Sequence, residues 1–250
     1  MDNIAKQILA ERALAAARHC VDRRYAGAAF AYVSGSIMRG EGTVFSDIDL
    51  VVVFPSLDRA WRESFTEAGF PVEAFAHDPQ TLAHYIHQDA ESGYPIMGNM
   101  VATGSILGPD FESARAIQEK AAGMLAAGPK PLAGPAYDAL RYQVSDLADD
   151  LRGERPPEEV AAIAAHLYQK LADLILLGHG HWAGRGKWAP RLLRKFDPQL
   201  ASEFATAFRL AAQGDGARLL DLADRAFALH GGRYFDGYRQ DAPLEARRLE

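Results

Sequence analysis

The chain has 250 residues with 27 Lys and Arg against 33 Asp and Glu, a formal charge of −6, so a partner that is itself a polyanion, such as tRNA or DNA, is disfavoured. An apolar share of 48% and a charged share of 24% exclude disordered and fibrous classes, and the length allows one large domain or two modest ones. A single cysteine, Cys20, excludes an internal disulfide and a structural zinc cluster and reads as a helix-packing residue.

Residues 3–24 place apolar side chains at Ile4, Ile8, Leu9, Leu14 and Val21 among charges, the pattern of an amphipathic helix. The same stretch lacks the uninterrupted apolar core of a signal peptide, and nowhere do 18 apolar residues run together, so no membrane span and a cytoplasmic location are expected. Residues 28–34 (AAFAYVS) read as a buried strand, and 49–54 (DLVVVF), β-branched and stopped by Pro55, as a central one. A helix is expected over 57–68, ended by Gly69, then a strand over 71–76 and a helix over 79–91. A short strand at 100–103 and a helix at 111–127 complete an α/β alternation.

The run GPKPLAGP marks a boundary, giving domains 1–127 and 137–250 joined by a linker at 128–136. Beyond it, helical periodicity at 137–151, 158–177, 198–212 and 217–229 predicts an all-α bundle. Leu249 and Glu250 read as a vector-derived remnant.

The chemistry is concentrated in SGSIMRGEGTVFSDIDLVVVF, residues 34–54. Gly35 has no Cβ, so a phosphate can approach the backbone there, with Ser36 and the amides of an expected helix after it as donors. Asp47 and Asp49 alternate on the start of a strand, which puts both carboxylates on one side, roughly 7 Å apart at the backbone, while Ile48 faces the core. Two hard anionic ligands of this kind suit Mg²⁺ and the oxygens of a triphosphate.

Gly-Ser, then Asp-Ile-Asp beginning eleven positions after Ser36, resembles the signature of the polymerase-β-type nucleotidyltransferase superfamily, over residues 25–110. The resemblance implies an α/β (α+β) nucleotidyltransferase domain with a small mixed sheet, followed by an all-α helical bundle domain. It implies a third carboxylate on a neighbouring strand, which falls on Glu73, as a metal ligand or as the base for the acceptor hydroxyl. It further implies a basic residue from the helical domain on the triphosphate. The segment RGKWAPRLLRK, 185–195, holds five positive charges and no negative one, and Lys187, then Arg191, are its candidates. Arg39 and Ser46 lie inside the motif loop as further phosphate-contact candidates.

The two-domain order is similar to that of the antibiotic nucleotidyltransferases. The activity so implied is Mg²⁺-dependent transfer of a nucleoside monophosphate, from ATP, to a hydroxyl of a small molecule. A nucleotide-sensing or protein-interaction module of the same fold, and an enzyme acting on a protein or RNA acceptor, are the alternatives. His179 and His181 lack a third ligand nearby and read as a loop. Asp146, Asp149 and Asp150 form an acidic helix face, and the aromatic and basic stretch GGRYFDGYRQ reads as a tail packed on the bundle.

Overall fold

The computed structural model describes residues 3–247, so the reading of Leu249 and Glu250 lies outside the described residues. The chain divides into two compact units, one ending at Gly128 and the other beginning at Pro129.

The first unit is built on a five-stranded mixed sheet. Its strands are β1 (Phe30–Ser34), β2 (Ile48–Val53), β3 (Trp61–Glu67), β4 (Phe70–His77) and β5 (Ser105–Leu107), in the order β3-β4-β2-β1-β5. β2 and β4 run parallel, and every other pairing is antiparallel. The β1 and β2 sequences are almost continuously apolar because helices cover both faces of the sheet. Alternation then sorts the side chains. Ala31, Val33, Ile48, Leu50, Val52, Val72 and Ala74 pack on one face with α1 (Asn3–Arg24), which contributes Ala13, Ala16, Ala17 and Cys20. Small residues at that spacing let the helix approach the sheet closely. Burial raises the Cys20 thiol pKa to about 11, so it stays protonated and packs as a small apolar group.

On the opposite face Phe30, Tyr32, Val51 and Val53 meet α2 (Pro79–Ser92), α3 (Ile96–Thr103) and α4 (Phe111–Ala127) through Leu82, Met100, Val101 and Ala114. The buried Tyr32 hydroxyl donates to the Ala114 carbonyl at 2.7 Å, so its one polar atom is satisfied.

Two expected elements differ. Residues 57–68 do not form a helix: β3 occupies Trp61–Glu67 and turns into β4 through Ala68 and Gly69, whose φ values of 48° and 84° are those of a tight hairpin turn. Gly69 is therefore a hairpin glycine rather than a helix cap. The apolar run at 100–103 belongs to α3, and the strand follows it as β5.

The second unit is helical, with α5 (Gly134–Asp150), α6 (Pro157–Gly178), α7 (Trp188–Phe196), α8 (Pro198–Ala211), α9 (Ala217–Ala228) and a short 3-10 turn at Leu244–Arg247. α6 is its centre, burying Leu167, Leu171, Leu174, Ile175 and Leu176 against Val144, Leu193, Phe204, Phe208, Leu219 and Phe227. By length and composition alone α6 is apolar enough to cross a membrane, and half of that window is buried within the protein, so packing accounts for its hydropathy. α7 makes a helix of its own over most of the basic segment 185–195, beyond the four helices that periodicity marks. The acidic face of α5 is largely paired: Asp149 with Arg233 at 2.5 Å, Asp150 with Arg155 at 2.8 Å. His179 bonds the Ile175 carbonyl at 2.7 Å, and both His179 and His181 rest on the Phe196 ring. The tail stacks Tyr238 on Tyr142 with ring centroids 4.1 Å apart.

Candidate active site

Topology brings the motif residues to one end of the sheet. β1 finishes at Ser34, while β2 and β4, being parallel to each other and antiparallel to β1, both begin there. Ser34 pairs with Asp49, and Asp49 with Glu73, so side chains of one parity on three adjacent strands stand in a row. Asp47 immediately precedes β2 and shares the parity of Asp49. The result is a half-buried cluster in which one ligand oxygen from each of Asp47, Asp49 and Glu73 lies within 4.8 Å of the others.

Gly35 is fitted to this cluster. Its φ of +104° is one that other residues rarely adopt, and a Cβ there would stand 3.0 Å from Asp49 Oδ2 and 3.3 Å from the Asp47 carbonyl. The missing side chain is what lets the Asp49 carboxylate lie against the turn. A set of three hard oxygen donors, converging over backbone with no Cβ in the way, fits a divalent cation of the Mg²⁺ type.

The loop from Ser36 to Ser46 is a pair of tight turns, and here the expected helix after Ser36 is absent. Glu41 N–H donates to the Ser36 carbonyl at 2.9 Å and Gly40 N–H to that of Ile37 at 3.0 Å, closing turns in place of a helical ladder. Ile37 is buried among the α1-side apolar residues and pins the first turn. The buried Ser36 hydroxyl donates to Ser46 Oγ at 3.0 Å, and Ser46 Oγ also accepts from Thr43 N–H at 2.9 Å. Ser46 thus braces the loop from within, and the Ser36 hydroxyl must exchange that partner before it can serve a phosphate. Arg39 lies on the same loop with its Nε 3.5 Å from Glu41 Oε2.

Lys187 and Arg191 belong to the helical unit. Lys187 is exposed at the start of α7, and Arg191 on α7 holds its guanidinium 5.3 Å from the Trp188 ring centroid. The helical unit also has a recess walled by Glu203, Asp221 and Arg225, but these charges satisfy one another, Arg225 reaching Glu203 at 2.7 Å and Asp221 at 3.3 Å.

One site residue escaped the sequence reading. Arg62 on β3 donates from Nη2 to Glu73 Oε1, and its guanidinium lies 5.2 Å from the Phe75 ring centroid. Ser64 is the β3 residue paired directly with Glu73, so Arg62 and Ser64 share the face on which the carboxylates stand. Strand alternation through 61–67 was the signal for this, masked by the expectation of a helix.

Residues 14–88 match the model of the nucleotidyltransferase domain family, a span that contains Gly35, Ser36, Asp47, Asp49 and Glu73. The first unit therefore carries a nucleotidyltransferase domain, and the protein is a nucleotidyltransferase by class. Among solved structures, the chain is similar to a nucleotidyltransferase-like protein from Exiguobacterium sibiricum at 13% identity and a TM-score of 0.40, over 86% of this chain and 77% of that one. No curated protein matches the chain.

Proposed function

We propose that the protein transfers a nucleoside monophosphate from ATP, in the presence of Mg²⁺, to a hydroxyl of a small-molecule acceptor, with release of pyrophosphate. The observation that carries this reading is the convergence of Asp47, Asp49 and Glu73 to within 4.8 Å, over a glycine that leaves Asp49 room. A protein that only binds nucleotide gains nothing from three carboxylates held together, because their mutual repulsion opposes binding a triphosphate without a metal.

Asp47 and Asp49 would hold the divalent ion, with Glu73 as third ligand or as the base. When bound, such an ion neutralises the triphosphate and stabilises charge on the attacking and leaving oxygens. The backbone at Gly35 admits the phosphates, and Ser36 supplies a hydroxyl donor once it leaves Ser46. The acceptor hydroxyl oxygen forms a bond to the α-phosphorus as the bond from that phosphorus to the bridging oxygen breaks. The hydroxyl proton passes to the Glu73 carboxylate in the reading where Glu73 is the base, and pyrophosphate leaves. In the helical unit, the five cations of 185–195 in a chain of net charge −6 make Lys187 and Arg191 candidates for holding an anionic group such as a phosphate. Ser46 and Arg39 keep the motif loop in shape for the phosphates. The net negative charge favours a small acceptor over a nucleic acid.

The test is pyrophosphate release from ATP and Mg²⁺ across a panel of hydroxyl-bearing small molecules, with the other nucleoside triphosphates as comparison. Release that requires both an acceptor and Mg²⁺, and that falls by at least about 10²-fold in Asp49→Asn, is expected. Acceptor-dependent release that persists in a folded Asp49→Asn protein contradicts the assignment.

A further inference from the structure

Glu73 is claimed from two sides. Toward β2 it meets Asp49 in register, within a cluster whose ligand oxygens stand within 4.8 Å of one another. Toward β3 it accepts a hydrogen bond at Oε1 from the Arg62 guanidinium. The two side chains are unequal: that of Arg62 is 61% exposed and that of Glu73 is 24% exposed. A long and mostly solvated cation thus reaches inward, over the Phe75 ring, to a carboxylate that already has two carboxylates for neighbours.

An ordinary exposed ion pair contributes little, because water screens it and two flexible side chains must be ordered. The surroundings make this one different. Three negative charges held close together repel one another, and a cation on one of them relieves part of that repulsion. A divalent cation at the triad would relieve the same repulsion more completely, would itself be repelled by the guanidinium, and would draw on the same carboxylate.

We propose that Arg62 is a counter-ion latch on Glu73, compensating the triad in the metal-free protein and giving up its hold on the carboxylate as a divalent cation loads. The inference rests on the metal-binding reading of Asp47, Asp49 and Glu73 given above. Direct repulsion and competition for Glu73 act in the same direction, so removing the guanidinium should tighten metal binding. A residue whose work was to orient Glu73 for the ion would have the opposite effect. The latch also predicts that Arg62 lends the fold more stability without metal than with it.

The experiment uses the full chain and Mn²⁺ alone, with binding followed by electron paramagnetic resonance and thermal unfolding measured with and without the ion. Arg62→Met keeps a long apolar stem on Phe75 and removes the charge, and Arg62→Gln serves should the methionine variant fail to fold. The expected result is Mn²⁺ affinity raised at least about fivefold, together with a larger Mn²⁺-induced rise in the unfolding midpoint than the parent shows. Unchanged or weakened affinity overturns the latch, as does a midpoint lowered equally in both conditions, which is what a merely structural surface pair would give. Asp49→Asn separates the two levels of the account. If it abolishes Mn²⁺ binding while Arg62→Met leaves affinity unchanged, the latch alone fails. If Asp49→Asn binds Mn²⁺ like the parent, the metal reading fails and the latch with it.

Discussion

Two residues of the site make opposite demands on the fold. Gly35 is kept by geometry, since an alanine there would combine a φ of +104° with a Cβ 3.0 Å from Asp49 Oδ2. Gly35→Ala should therefore cost about 1–3 kcal/mol of stability and displace the Asp49 carboxylate, read as a lowered urea midpoint together with weakened Mn²⁺ binding. Asp49 stands among like charges. Asp49→Asn removes one of three clustered carboxylates, so the metal-free variant should unfold at a temperature equal to or above that of the parent while binding Mn²⁺ poorly. Stability and site chemistry would then move apart in one protein and together in the other. At this scale the sequence was highly informative. Strand parity alone puts Asp47 and Asp49 on one side, and the family resemblance names Glu73, whose carboxylate the structure brings into the same cluster. Arg62 was not legible, because its partner is set by the pairing of β3 with β4, and that register requires knowing that β3 is a strand.

The element that was misread shows why. In 61–67, Trp61 and Phe65 are four residues apart, a spacing that shares a face in a helix and also in a strand, so this pair cannot decide between them. The alternation of Trp61, Glu63, Phe65 and Glu67 with Arg62, Ser64 and Thr66 decides for the strand. The first set faces the α1 side, where Glu63 accepts hydrogen bonds from Arg24 at 2.5 Å and Tyr25 at 3.0 Å. The Arg24 guanidinium beside Glu63 holds that carboxyl below its ordinary range. By contrast, 111–127 was read to the residue, since Gly108 and Pro109 precede it, the Asp110 side chain caps it and Gly128 ends it. The short run 96–103 is apolar enough for either structure, and only packing of Met97, Met100 and Val101 beneath the sheet makes it helical.

Capping is also decisive for α2, the helix that follows the Glu73 strand. Asp78 accepts from Thr81 N–H at 2.8 Å while Thr81 Oγ1 accepts from Asp78 N–H at 3.0 Å, a reciprocal cap at the point where β4 becomes α2. Hydrogen bonds from Thr81 hold the Asp78 carboxyl below its ordinary range, so the cap acts with a charged carboxylate at neutral pH. Asp78→Ala should lower the urea midpoint at neutral pH, and the difference from the parent should shrink as acid protonates Asp78.

Across the whole molecule, each unit has its own core and each contains a histidine that folding keeps neutral. His77, buried at the end of β4, is held below its ordinary pKa of 6.5 by burial, against a smaller opposing effect of the Asp78 charge. His230 in the helical unit is lowered first by burial and then by the Arg141 and His179 charges, while Tyr137 lies 2.6 Å from its Nδ1. At both sites the unfolded chain takes up a proton at higher pH than the folded chain. Stability is therefore full above 6.5 and declines as pH falls below it. Urea midpoints should drop as pH falls through 6.5, and His77→Gln and His230→Gln should each flatten part of that decline, whatever their effect on stability at neutral pH. The order of an α/β unit and a helical unit was readable from where strand-like runs give way to helical periodicity at the GPKPLAGP breakers. Nothing in such a pattern specifies an acceptor, because acceptor recognition depends on side chains assembled from elements distant in sequence.

In the proposed reaction, nucleotidyl transfer depends on a divalent ion held by Asp47 and Asp49, with Glu73 as third ligand or base. Crystals grown with Mn²⁺ and a non-hydrolysable ATP analogue test it most directly, through the anomalous signal of the metal. The expected result is a peak within about 2.0–2.3 Å of carboxylate oxygens of Asp47 and Asp49, with triphosphate oxygens completing the coordination beside Gly35. A bound nucleotide with no metal peak at these carboxylates, or with its phosphates away from the Gly35 turn, would contradict it.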